Sequence, residues 1–437
     1  MNDLPKKLKD SNCDPIWLNE NPYNCLLYAD DIVLYSETKE GLERAINETV
    51  KYSKQQGLVL NYNKSKIMFI TKGGKFSKEI FQVNDQVLEE VKQYKYLGII
   101  FSNNGSLKPA RTNLYNVAVK AMYGLKRLVS NMSLDVKTML QLFNSLVQPI
   151  ICYACEVTSM FNVSEKMMSE DNFNFFNSVF TMQQEKIHLH FCKYVLGVNS
   201  RASNLAVLSE LGRIPIFIYS MKKMFSFHRK CKMQTDSLVH QAYIEARNSM
   251  TPWFKFLKCI LTKVGVHDID DDYNGNIAFY KLSELYKQFW KNSLFNDIRP
   301  GNMGNKLRTY RLFKTVYECE PYLYTVSDYK TRQCLSKLRI SNHRLKIETG
   351  RFNNTPVEQR KCNECDKIED ELHFLTECKR FNDERNTLYE VILKTCENFA
   401  ELSHKDKMIY MMSTCNKDVI NKLGKFVLLC MPQAGNM

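Results

Sequence analysis

Tyr28-Ala29-Asp30-Asp31 lies inside the run Cys25-Leu26-Leu27-Tyr28-Ala29-Asp30-Asp31-Ile32-Val33-Leu34-Tyr35. Two short runs rich in Leu, Ile, Val and Tyr flank a polar break, which predicts a strand–turn–strand hairpin. Two ionised carboxylates at such a turn repel each other, and between buried strands both lose hydration. A divalent cation offsets both costs. Mg²⁺ takes one or two carboxylates and fills its shell with water and substrate phosphates, the arrangement that phosphoryl transfer to a nucleotide uses. The plainer reading is a surface turn, where Asp is common because its side chain bonds its own backbone.

A second group has metal-ligand spacing. Cys362, Cys365, His373 and Cys378 read C-x2-C-x7-H-x4-C. Thiolates and a neutral imidazole suit tetrahedral Zn²⁺, and four ligands close the site, making it structural rather than catalytic. The alternative is a set of free thiols. The surrounding segment has few large apolar residues, Ile368, Leu372, Phe374 and Leu375, so metal binding is expected to be coupled to its folding. Leu372, Phe374 and Leu375 are expected to pack the site against a helix at 383–393. Cys152 and Cys155 sit in an apolar stretch with no histidine close in sequence and read as core. His188 and His190 alternate with apolar residues beside a single thiol, Cys192, and read as element surface and edge rather than ligands.

The elements that must position these groups have clear signals. Residues 38–56 place Leu42, Ala45, Ile46, Thr49 and Val50 on one helical face, and Gly57 stops the helix. Residues 118–129 and 134–147 are amphipathic helices, with Ser133 as N-cap of the second. Gly212 and Pro215 break a helix pair. Residues 232–330 read as aromatic-rich helix and loop. They are interrupted by the acidic turn 268–275, a linker candidate without the closing Glu of a calcium loop. Beyond 385 two helices are expected, joined near Ser403-His404-Lys405. The 437 residues carry 61 Lys and Arg against 47 acids, a net charge of +14. That excess suits a polyanionic partner through counterion release, and is also ordinary for proteins that bind no nucleic acid. No run approaches the ~18 apolar residues of a membrane span. The polar first residues do not form a secretory signal. The 15 cysteines are mostly isolated and odd in number, which reads as reduced thiols.

The amino-terminal stretch resembles the palm of a non-LTR (LINE-type) retrotransposon reverse transcriptase. Tyr-Ala-Asp-Asp is that family's metal-binding hairpin. Gly57-Leu58-Val59-Leu60-Asn61-Tyr62-Asn63-Lys64-Ser65-Lys66 resembles its next motif, and Tyr94-Lys95-Tyr96-Leu97-Gly98-Ile99 resembles the segment that grips the primer end. The resemblance implies that Asp30 and Asp31 hold Mg²⁺. It also implies that Tyr28 packs beneath the primer end and that Lys64 neutralises or protonates the leaving pyrophosphate. Tyr96, Leu97 and Gly98 would form the primer grip. The helices that follow would be a thumb, with Lys108, Arg111, Lys120, Lys126 and Arg127 as phosphate contacts; a solvated basic face is the other reading of these five. The family often carries a zinc segment after its polymerase. The leader from Leu338 to Arg351 resembles the one that precedes it, although the x7 loop is longer than the x4 of a retroviral knuckle. Asn2-Asp3-Leu4-Pro5 resembles a segment that the family places after its fingers and first catalytic Asp. The expectation is therefore a carboxy-terminal part of the parent protein, with an incomplete two-metal site.

The fold class expected is α+β: a partial polymerase palm of antiparallel hairpin plus helix, then a mostly α-helical thumb and a carboxy-terminal zinc-binding segment. The divisions read from sequence are 1–105 partial palm, 106–235 thumb and following helices, 236–330 helical connector, 331–385 zinc-binding segment and 386–437 helical tail. The function expected is a truncated RNA-directed DNA polymerase, inactive alone, acting on an RNA template, a DNA primer and a dNTP. The alternatives are a non-catalytic RNA- or DNA-binding module and a decayed element. The place expected is intracellular, and nuclear by resemblance.

Overall fold

The structure is a computed structural model that describes residues 3–77, 80–83, 86–130, 132, 134–158, 170–295 and 306–431. Short antiparallel hairpins precede a long, mostly helical remainder. The chain divides into two compact units, one of residues 1–114, 154–163 and 223–271, the other of 115–153, 164–222 and 272–437. This division cuts across the five consecutive segments read from sequence, because the chain returns to the first unit twice.

The first unit grows from a small apolar cluster. Pro5 opens helix α1 (Leu4–Asp10), where its missing N–H costs nothing. Leu4 and Leu8, one turn apart, are fully buried with Cys13, Ala45 and Tyr52, and Cys25, Leu27, Ile32 and Leu34 pack on them. Helix α2 (Lys39–Gln55) starts where the Thr38 side chain accepts from the Gly41 amide, and it stops before Gly57, whose φ is +66°. Its buried face is Ala45, Thr49, Val50, Tyr52 and Ser53, while Leu42 and Ile46 are only half-buried. The shift has a cause: the Tyr52 hydroxyl donates to Asp3 Oδ1 at 2.6 Å, and Lys7 Nζ lies 5.0 Å from its ring centre, rotating that side of the helix toward α1.

Two short hairpins, β1 (Ile16–Leu18) with β2 (Asn21–Tyr23) and β3 (Cys25–Tyr28) with β4 (Asp31–Leu34), come between these helices. After α2, β5 (Lys66–Ile67) pairs parallel with β7 (Gln86–Glu90), and β7 pairs antiparallel with β6 (Phe81–Val83). A last hairpin joins β8 (Gln93–Tyr96) to β9 (Ile99–Ser102).

Helix α3 is longer than expected, Lys108–Ser130, and buries Ala118, Met122, Leu125 and Val129 along one stripe. Helix α4 (Val136–Leu146) is capped by Asp135, which accepts from the Thr138 amide at 2.8 Å. The expected cap, Ser133, lies outside the described residues, as does Asn2. Cys152 and Cys155 are buried, as a core reading requires. Gly212, with φ +61°, lets the backbone pass Cys319, whose amide nitrogen would lie 2.7 Å from an added Cβ. In the second unit, Phe176, Tyr286 and Phe289 pack with ring centres 5.3 to 6.0 Å apart. The boundary between the units passes through the acidic turn, where Lys232 Nζ donates to the carbonyls of Ile269, Asp270 and Asp271 at 3.2, 2.7 and 2.9 Å. Beyond 385 the described residues hold three α-helices rather than two: the rest of Asn382–Leu393, then His404–Ser413 and Lys417–Cys430. Ser403 caps the second, and a further break at Asn416, which caps the third, carried no strong breaker residue in sequence.

Candidate functional site

The acidic hairpin has the register its sequence predicts. Tyr28 pairs with Asp31, leaving Ala29 and Asp30 as a two-residue turn. Ala29 takes φ +53°, a left-handed conformation that costs a non-glycine residue roughly 1–2 kcal/mol. Asp30 and Asp31 are both exposed, and Tyr28 is 61% exposed. The strands are half-buried, so the argument from lost hydration does not hold; the reason to bind a cation here is mutual repulsion of adjacent carboxylates.

The second hairpin turns on Leu97 and Gly98, both with positive φ (+46° and +83°), the pattern of a type I′ turn. Burial raises the Tyr96 phenol, and the charges of Asp31 and Tyr28 raise it further. Lys64 is exposed on the turn that begins at Asn61, and the Tyr94 hydroxyl donates to the Lys64 carbonyl at 3.1 Å. All three sequence motifs lie in the first unit, and this bond joins the second to the third. The acidic turn could hold Mg²⁺ through Asp30 and Asp31, with the ion's remaining positions open to water and phosphate. Among the described residues no third carboxylate, cysteine or histidine completes a cluster with this pair.

The basic residues of α3 fall into two kinds. Lys108, Lys120 and Arg127 are exposed, and Arg111 is half-buried. Lys126 is engaged within the second unit: its Nζ lies 4.6 Å from the Tyr194 ring centre, 5.4 Å from that of Tyr123 and 3.1 Å from His190 Nε2. Burial lowers both Lys126 and His190. His190 is indeed a surface residue, but His188 corrects the sequence reading. It is fully buried in helix Gln183–Leu196, with Nδ1 2.8 Å from Glu185 Oε1 and Nε2 accepting from Arg213 Nε at 2.9 Å. A carboxylate and a guanidinium satisfy both ring nitrogens in the core, which alternation along the sequence does not reveal.

The four donors of the second cluster converge. The ligand atoms of Cys362, Cys365, His373 and Cys378 all lie within 4.8 Å of one another. Cys362 and Cys365 sit on a tight turn closed by the Cys362 amide donating to the Lys367 carbonyl at 2.7 Å and by the Lys361–Ile368 bridge. His373 is on helix Glu371–Thr376, which Asp370 caps by accepting from the His373 amide. Cys378 follows that helix. Burial and the neighbouring thiols push Cys378 up to about 12, the condition of sulfurs crowded without a cation. His373 Nε2 is buried and makes no hydrogen bond, while Nδ1 lies 3.5 Å from Glu377 Oε2. An orphaned imidazole nitrogen beside three thiols, with a carboxylate behind the other nitrogen, fits a zinc donor set and its outer support. A bound zinc there would supply cross-linking and no reaction.

Several residues that sequence reasoning did not assign build this site. Arg385 is buried; Nε donates to the Leu375 carbonyl at 2.9 Å and Nη2 to the Cys378 carbonyl at 2.7 Å. Glu371 is buried, accepts from Ser341 at 3.0 Å, lies 2.9 Å from His343 Nε2 and pairs with Arg308. Its burial would raise it, yet the hydrogen bond and charge of His343 and the charge of Arg308 carry it down to about 2. Phe374 packs on Phe381 at 5.4 Å and on Phe426 at 5.5 Å. The site thus rests on helix Lys417–Cys430 as well as Asn382–Leu393. The segment has more core than its own apolar residues suggest.

Residues 1–101 match the family described as reverse transcriptase (RNA-dependent DNA polymerase). Over 92 residues the chain is 29% identical to the retrovirus-related Pol polyprotein from type-1 retrotransposable element R2 of Nasonia vitripennis, a stretch covering 19% of this chain and 9% of that protein. Residues 1–101 are thus similar to reverse transcriptases, and the chain spans only a small part of the length of the retrotransposon polyprotein it matches. Both hairpins, α2 and the Lys64 turn lie within residues 1–101. The four-donor cluster lies outside residues 1–101, and its assignment rests on geometry alone. Among the described residues no helix is long and apolar enough to cross a membrane.

Proposed function

We infer that this chain works on nucleic acid as part of an RNA-directed DNA polymerase, with Asp30 and Asp31 supplying part of a two-metal Mg²⁺ site. The observation that carries the reading is the exposed Asp30-Asp31 pair at the tip of the β3–β4 hairpin, inside the segment similar to reverse transcriptases, with Tyr94 bonding the Lys64 backbone in the same segment. In this reading Asp30 and Asp31 bind the cation and Tyr28 with Tyr96, Leu97 and Gly98 positions the primer end. The Lys64 ammonium neutralises charge on the leaving pyrophosphate. Lys108, Lys120 and Arg127 are the stronger candidates on α3 for contacts to an RNA–DNA duplex, since they project into solvent. Cys362, Cys365, His373 and Cys378 hold one structural zinc.

The chain alone does not polymerise, because the exposed pair lacks a further carboxylate among the described residues. Primer extension on a homopolymer RNA template with Mg²⁺ or Mn²⁺ should give no product above background. Product that vanishes in Asp30→Ala would overturn that and show a self-sufficient site. The second reading, a binding module without chemistry, is favoured by the same missing carboxylate. It is distinguished by duplex binding that Asp30→Ala leaves unchanged with and without Mg²⁺.

A further inference from the structure

In the second unit, the loop 198–202 between helices Gln183–Leu196 and Asn204–Glu210 gathers cations from separate parts of the chain. Lys193 Nζ donates to the Ser200 carbonyl at 2.8 Å, and Lys306 Nζ donates to the Arg201 carbonyl at 3.0 Å. The Arg201 guanidinium lies 5.5 Å from the ring centre of Phe352, a side chain that stays 63% exposed. Arg351 adjoins that ring in sequence. The Glu348 carboxylate is shared by Arg351 at 3.1 Å and Arg308 at 3.4 Å. Arg351 Nη2 is buried and makes no hydrogen bond among the described residues. Lys193, Arg201 and Lys306 have no carboxylate at ion-pair distance among the described residues. Burial lowers both lysines; the charge of Lys306 adds to this at Lys193. At Lys306, Arg351 and Arg201 lower and Glu348 raises.

Lys193, Arg201 and Lys306, close together with no carboxylate at ion-pair distance among the described residues, repel one another, and a polyanion lowers that cost. An exposed aromatic ring among them adds a base-stacking platform, which every base can use and a duplex cannot, because its base faces are already stacked. None of these residues belongs to the acidic hairpin or to the four-donor cluster. We propose that Lys193, Arg201 and Lys306 bind backbone phosphates of a single-stranded nucleic acid whose base stacks on Phe352. The site rests on the nucleic-acid reading above and adds to it a single-strand contact distinct from the duplex contacts of α3.

The test uses the full chain, a fluorescent oligouridylate and a fluorescent RNA–DNA duplex, with binding followed by anisotropy over a salt series. Arg201→Ala/Lys306→Ala should reduce the slope of log affinity against log salt for the single strand by about 1.4, from ~0.7 per lost contact. Phe352→Ala should weaken single-strand binding about fivefold or more. Duplex affinity should be unchanged in both, and far-ultraviolet circular dichroism checks that the variants fold. Equal losses on strand and duplex, or no loss in Phe352→Ala, overturn the site. Wild-type binding to the duplex alone overturns this site and leaves the proposed function standing, whereas binding to neither probe removes both.

Discussion

At the scale of single residues, the zinc set and the buried ion pairs make the sharpest demands. His373 Nε2 is buried with no hydrogen bond among the described residues, and the histidine's ligand atom lies within 4.8 Å of three sulfurs, so a metal would satisfy a group that is otherwise costly to bury. Metal analysis of the intact chain under reducing conditions should find one zinc. Cys365→Ser should lose it and lower the thermal midpoint by ~5 °C or more, given 2–4 °C per kcal/mol in a unit of this size. A zinc-free wild type of unchanged stability would return these residues to free thiols. Arg339 tests a different kind of demand. It pairs with Glu210 through Nε at 2.9 Å and Nη2 at 3.2 Å, and also with Glu320. Glu210 is fully buried, so Arg339→Ala leaves an uncompensated charge. The expected cost is about 3–5 kcal/mol in urea unfolding, and a change under 1 kcal/mol would show that the pair is dispensable.

At the scale of elements, both hairpins store backbone strain where the chemistry is proposed. Leu97 occupies the first position of a turn that favours Asn-Gly, at φ +46°. Leu97→Asn relieves that conformation and should stabilise the first unit by about 1 kcal/mol. If Leu97 serves the primer end, the same change should weaken primer–template binding, and an equal or tighter complex would remove it from that role. Strain retained at a functional turn and lost in a more stable variant is the trade expected when geometry serves binding rather than folding.

At the scale of the whole molecule, the net charge of +14 predicts affinity for nucleic acid without strong sequence preference. Binding to an RNA–DNA duplex should fall by orders of magnitude as salt rises from low to moderate concentration. Affinity that ignores salt would assign the basic excess to something other than phosphates. The exposed positions Lys120 and Arg127 should contribute to the slope, and Lys126, packed between Tyr194 and Tyr123, should contribute less.

The acidic hairpin, helix α2 with its Gly57 stop, and the convergence of Cys362, Cys365, His373 and Cys378 were legible in sequence. Local rules set them: strand alternation, capping and ligand spacing act over a few residues. The exposure of Asp30 and Asp31, the burial of His188 and the rotation of α2 toward Tyr52 and Ser53 were not legible. Each depends on a partner distant in sequence, Arg213 for His188 and Asp3 for Tyr52. The leader from Leu338 to Arg351 shows the same limit. Arg339, Ser341, His343 and Glu348 are buried there; Arg339 pairs with Glu210, Ser341 and His343 with Glu371, and Glu348 with Arg308, all outside the leader. Short-range chemistry determined which residues could act; only tertiary packing decided which charges are satisfied inside the fold and which are left to meet a ligand.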